Sequence, residues 1–163
     1  LTHAKRPFNT IEEHDKAIID NLNNTVGSGD SVYILGDFCL GNFKKYEQYI
    51  VQIRKDIFLY FVLGNHDKEW SKKALLPHPY YKELKLNNDT IVMCHYPLLV
   101  WNKCHYGSYH LHGHSHGGCN HLNEKVRRLD VGVDNHNYQP ISWTYIKDRL
   151  DKIPLIRPEG YHE

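Results

Sequence analysis

IFLYFVLGNHD, residues 57–67, is an apolar run that stops at a glycine and turns polar. That is the pattern of a buried strand delivering polar groups at its end. SVYILGD, residues 31–37, repeats it after a VGSGD turn at 26–30. TIVMCHYP (90–97) reads as a third strand, ending in a histidine, and SYHLHGHSHG (108–117) as a fourth. Between and around them lie helical patterns. NTIEEHDKAIIDNLNN (9–24) carries a Thr10–Glu13 capping box and an apolar stripe at Ile11, Ala17, Ile18 and Leu22. NFKKYEQYIVQIRK (42–55) reads as a second helix with Asn42 as its cap. VRRLDVGVD (126–134) reads as a further strand, and PISWTYIKDRL (140–150) as a strand or short helix. Early alternation of strand and helix, followed by a strand-rich half, argues for a sheet-based α/β layer architecture in one domain over 1–163, with a loosely patterned tail at about 151–163.

Bulk composition narrows the class. A chain of 163 residues suits one domain with a real core. A formal net charge of +1 gives no electrostatic case for a nucleic-acid or membrane partner. No apolar run reaches the roughly 18 residues of a membrane span. The four cysteines, Cys39, Cys94, Cys104 and Cys119, form no C-x-x-C pair, and as free thiols they fit a cytoplasmic protein.

HLHGHSHG places histidines at 110, 112, 114 and 116. On a straight strand all four would share a face, with neighbours about 6–7 Å apart, so one ion could take a pair but hardly the set. Gly113 divides them into a strand pair, His110 and His112, expected to pack or hydrogen-bond, and a loop pair, His114 and His116. Asp37, Asn65, His66, His95, His114 and His116 each follow an apolar strand. In open sheets ligands gather beyond the carboxyl ends of the strands. If the strands lie side by side, Asp37, Asn65, His95, His114 and His116 converge on one pocket. Oxygen and imidazole donors without thiolate suit zinc, manganese or iron. Trp101 and Tyr96 read as core or as pocket walls, Asp134 and His136 as supports of the site, and Lys44, Lys45, Arg127 and Arg128 as solvated charges.

GDF at 36–38, GNHD at 64–67, HYP at 95–97 and GHSH at 113–116, in this order, resemble the calcineurin-like metallophosphoesterase superfamily. KRPFNTIEEHDKAIIDNLN, HLHGHSHG and LDVGVDNHNYQP are similar to a small single-domain bacterial or phage branch of it, up to about residue 147. The resemblance implies a four-layer αββα sandwich around two divalent ions (Mn, Fe or Zn) and hydrolysis of a small phosphate mono- or diester by a metal-activated water. It implies that Asp37 bridges the two metals and that Asn65, His95 and His114 complete the second. It further implies that His116 binds the first, that His66 is the catalytic histidine and that Asp67 orients the His66 ring. The superfamily opens with Asp-x-His on its first strand. Here Leu1-Thr2-His3 has Leu1 in place of the Asp, so the first strand is expected to be missing or cut short, with His3 a substitute ligand. That departure leaves the first metal short of a ligand, so the chain is expected to be either an incomplete copy of an active enzyme or a variant with one secure metal, and it favours the alternative of a non-catalytic scaffold on the same fold. A nuclease, which the fold supports elsewhere, is a third reading.

Overall fold

The computed structural model describes residues 6–155. Leu1, His3 and the last part of the tail lie outside them, as does the question of a first strand. Helix α1 (Ile11–Thr25) starts where the sequence predicts: Thr10 Oγ1 accepts from Glu13 N, and the Glu13 carboxylate accepts from the N–H of Asn9. Strand β1 (Ser31–Leu35) and strand β2 (Phe58–Val62) pair in parallel, Ser31 opposite Phe58 and Leu35 opposite Val62. A parallel pair needs a crossover, and helix α2 (Phe43–Ile50), capped by Asn42, is part of it.

The second helix is shorter than its sequence pattern. It ends at Ile50 rather than near residue 55. Beyond it Arg54 leaves the helical path to donate to the carbonyls of Asn23 and Val26 at the end of α1 and to pair with Asp56. The mixed stretch after the second strand contains a short helix α3 (Lys68–Ser71) and strand β3 (Tyr81–Leu86). Strand β3 was not legible in the sequence: KELK has three charged residues and one apolar one, and no residue of the strand is buried. It pairs antiparallel with β4 (Asp89–Cys94). Strand β4 then runs parallel to β5 (Tyr109–His112), and β5 to β6 (Arg128–Asp130). PISWTYIKDRL resolves as helix α4 (Trp143–Leu150), because Ser142 Oγ caps it at Tyr145 N.

The result is a mixed α/β fold with two sheets, β1-β2 and β3-β4-β5-β6. Ile91, Met93, Tyr109, Leu111 and Leu129, one face of the larger sheet, meet Leu35 and Val62 of the smaller sheet and Ile146 and Leu150 of α4. The other face of the smaller sheet, with Phe61, Ile34 and Leu59, packs with Trp70 and the α2 tyrosines Tyr46 and Tyr49. Among the described residues no helix is long and apolar enough to cross a membrane.

The remaining face of the larger sheet carries Val92, His110, His112, Arg128 and Asp130, all buried. As expected, His110 hydrogen-bonds within the fold: its Nδ1 donates to the Val92 carbonyl and its Nε2 accepts from Leu98 N. The expectation for Arg128 is corrected, because it is 4% exposed. Its guanidinium donates to Asn123 Oδ1 and to the carbonyls of Leu98 and Leu122, tying two loops over the sheet.

Candidate metal centre

Strands β1, β2, β4 and β5 end near one another, and the residues just beyond them meet. The imidazole of His95 lies at the base, 2% exposed. Its Nδ1 donates to the Leu35 carbonyl at 2.8 Å, which fixes the ring and directs Nε2 into the site. Around Nε2 stand Asn65 Oδ1 at 3.1 Å, His114 Nδ1 at 3.2 Å and Asp37 Oδ2 at 3.3 Å. The donor atoms of Asp37, His95 and His114 all lie within 4.8 Å of one another. Four lone-pair-bearing atoms directed at one another is an unfavourable arrangement in the absence of a positive charge. A cation among them removes the conflict, so the donor set fits a metal ion.

The backbone is shaped to bring the donors this close. Asp37 and His114 both hold positive φ, 55° and 65°, a conformation that costs about 1–3 kcal/mol per residue and clusters at functional sites. The glycines before two of the donors are required by approach distance. A Cβ on Gly64 would lie 2.3 Å from Asp37 Oδ1 and 2.6 Å from Asp37 N. A Cβ on Gly36 would lie 2.3 Å from His95 Nδ1. The glycine of each G-D and G-N-H sequence is therefore space through which neighbouring strand ends reach the same point.

Asp67 has a different task from the expected one. Its carboxylate does not orient the His66 ring. It is 1% exposed and accepts four hydrogen bonds: Oδ2 from Asp37 N (2.7 Å) and Gly64 N (2.8 Å), Oδ1 from Phe38 N (2.9 Å) and Trp70 Nε1 (2.7 Å). A buried carboxylate must find donors, and the two strand-end loops present their backbone N–H groups to it. Asp67 thus clamps the Asp37 loop to the Asn65 loop. His66 itself is exposed, and its backbone N–H donates to Asp37 Oδ1 at 2.9 Å.

His116 lies outside the Asp37–His95–His114 cluster. Its Nδ1 donates to Asp134 Oδ2 at 2.6 Å, so Nε2 is the ring nitrogen that Asp134 does not engage. Asp134 is in turn gripped by Arg6 through both carboxylate oxygens, at 2.6 and 2.8 Å. Two anchors of this side had no clear sequence signal. Arg6 acts across 128 positions of chain, and Asp130 is a 1%-exposed carboxylate that accepts from Ser115 Oγ and Gly117 N and so holds the histidine loop. His136 donates to the carbonyl of the same Asp130. Tyr96 walls the site, its ring 4.6 Å from that of His114, while Trp101 is core against His110.

The uncharacterized protein MJ1445 of Methanocaldococcus jannaschii is 31% identical to this chain over 165 residues, spanning 96% of this chain and 86% of that protein. The chain belongs to the MJ1445 family. No family profile matches it. The solved structure of a protein of unknown function, AQ665 from Aquifex aeolicus, superposes with a TM-score of 0.66 over 88% of each chain at 22% identity, and so shares the fold.

In this MJ1445-family chain the electrostatics of the centre follow from its geometry. Burial alone would raise the pKa of Asp37, but hydrogen bonds from His95 and from His66 N–H outweigh it, and the carboxyl titrates below its ordinary value. Burial also opposes charge on His95, yet the Asp37 carboxylate and the Leu35 carbonyl prevail and raise its pKa. His114 is lowered, by burial first and then by the charge of His95. A proton and a metal ion would therefore compete for the same His95 Nε2.

Proposed function

We propose that this chain is a metal-dependent phosphoesterase of the calcineurin-like metallophosphoesterase type, acting on a phosphate mono- or diester. The observation that carries the reading is the convergence of Asp37 Oδ2, Asn65 Oδ1 and His114 Nδ1 within 3.1–3.3 Å of His95 Nε2. The four-layer αββα sandwich belongs to the same proposal. Two facing sheets with α2 on the outside of the smaller one support it.

Asp37, Asn65, His95 and His114 would hold one divalent ion, manganese, iron or zinc. His116, held by Asp134, would hold a second together with Asp37. Such ions supply Lewis acidity toward a phosphate and acidify water. The remaining work falls to the chain. Asn65 contributes a neutral oxygen, which limits the negative charge that would otherwise repel a phosphate. His66, exposed beside Asn65 and outside the ligand set, supplies a proton to the departing oxygen. Its backbone N–H donates to Asp37 Oδ1, which ties the His66 segment of the loop to that carboxylate. Asp67 fixes the spacing between the Asp37 and Asn65 loops.

The test is hydrolysis of bis(p-nitrophenyl) phosphate and p-nitrophenyl phosphate by the purified chain with manganese, beside His66→Ala and His95→Ala. Turnover that falls by about two to four orders of magnitude in His66→Ala with metal binding retained is the expected outcome. No turnover with manganese, iron or zinc would overturn the reading and leave a scaffold. Loss of metal from His66→Ala would overturn the role given to that residue.

A further inference from the structure

Lined in part by residues that flank Gly64-Asn65-His66 in the chain, a hollow of about 360 Å³ is not used by the chemistry above. Its walls include Leu63, Lys68, Ser71, Lys72, His78 and Tyr80. Leu63 directly precedes Gly64-Asn65-His66, and Lys68 comes two residues after His66. Two residues of chain span at most about 7 Å, so the hollow and the centre share one loop.

The loop is held rigidly. Asp67 ties it to Trp70 at the end of α3, and Trp70, 0% exposed, is stacked on Tyr46 with ring centroids 4.5 Å apart. His78 packs against Trp70 and Phe61. The loop and short helix from which the exposed lysines project are therefore tied, through Asp67, to the Asp37 loop of the metal centre. Its polarity is one-sided. Two lysines and no carboxylate residue line the hollow, together with a serine and a tyrosine. Lys72 pairs with Glu69 outside the lining, and Lys68 has no carboxylate partner among the described residues. Leu63 supplies an apolar floor. Ammonium groups and hydroxyls around an apolar floor suit a phosphoryl group on an organic body.

We propose that this hollow is a subsite for a second phosphoryl group of the substrate, so that the preferred ester carries two phosphoryl groups, one at the metal centre and one against Lys68 and Lys72. The inference rests on the phosphoesterase reading above, and the experiment separates the two. The first arm compares the native chain with the double variant Lys68→Gln/Lys72→Gln on bis(p-nitrophenyl) phosphate and on a thymidine dinucleotide bearing a 5′-phosphate, both with manganese. The expected result is a KM for the phosphorylated dinucleotide raised about tenfold or more, the scale of losing charged hydrogen bonds, with constants for bis(p-nitrophenyl) phosphate unchanged. Equal constants on both substrates would overturn the subsite.

The second arm needs no turnover. Inorganic phosphate is titrated into the metal-free chain while backbone amide shifts are followed by NMR. Shifts at 68–80 that vanish in the double variant support a phosphate site in the hollow, even if no ester is hydrolysed and the phosphoesterase reading falls. Shifts confined to the Asp37 and His114 loops, or identical shifts in the variant, would overturn it. The variant's unfolding midpoint in urea confirms that both arms compare folded chains.

Discussion

Replacing Asp67 with Asn is the most searching test of how the centre is assembled. The substitution keeps shape and volume but converts one acceptor oxygen into an NH2 donor. In the native chain Oδ2 receives Asp37 N and Gly64 N, while Oδ1 receives Phe38 N and Trp70 Nε1. Whichever way the amide turns, two of the four donors face another donor. Each hydrogen bond to a charged group is worth about 1.5–3 kcal/mol, and its loss leaves a buried N–H unsatisfied. Two such losses amount to about 3–6 kcal/mol. The neutral amide is cheaper to bury than a carboxylate, which offsets part of this. A net destabilisation of about 3–4 kcal/mol is expected, measured by urea unfolding of the metal-free chain so that no ion contributes. Because Asp37 holds φ 55° with its own N–H bonded to Asp67, metal affinity should also fall, by about 10–100-fold, the scale of losing a group that positions a ligand. A variant within 1 kcal/mol of native, as an order-of-magnitude limit, and with native metal affinity would refute the clamp.

Gly64→Ala should abolish metal binding measured by calorimetry, since its Cβ would stand 2.3 Å from Asp37 Oδ1; retained binding would mean that the loops relax apart without cost. Asp134→Asn should weaken a second equivalent of metal more than the first in a titration followed by elemental analysis, because the His116 ring loses its anionic acceptor; equal weakening of both would place His116 differently. Stability should fall as the solution is acidified from pH 7 to 5. Burial pushes the His110 pKa down to about 4, so the unfolded chain, with an ordinary value near 6.5, binds the proton that the folded chain refuses. That contribution is intact above about pH 6.5 and is lost toward pH 4, about 2 kcal/mol of it by pH 5. His110→Gln should flatten the dependence of the urea midpoint on pH, and an unchanged slope would assign the effect to other groups.

Much of the centre was legible in the sequence because strand ends are local. An apolar run that stops at glycine and continues with Asp, Asn or His announces both a buried strand and its chemistry, as at Leu35-Gly36-Asp37 and Leu63-Gly64-Asn65. The histidine tract divided as its period and Gly113 implied, His110 inside the fold and His114 at the centre. Helix starts at Thr10 and Asn42 were equally local, each set by a side chain three residues from the N–H it caps.

Tertiary structure alone decided what depends on distant partners. Strand β3 has little apolar signal of its own and exists through its pairing with β4. Asp67 sits next to His66 in sequence, yet its oxygens belong to Asp37, Phe38, Gly64 and Trp70, because a buried carboxylate takes the donors that packing provides. Arg128 has the composition of a surface residue and lies buried because two loop carbonyls and Asn123 replace its water. Arg6 reaches Asp134 only once the chain has folded back across both sheets. Periodicity and end signals report what a segment does with water and with its near neighbours. Which far segment completes a hydrogen bond or shields a charge is set by topology, and that information is spread over the whole chain.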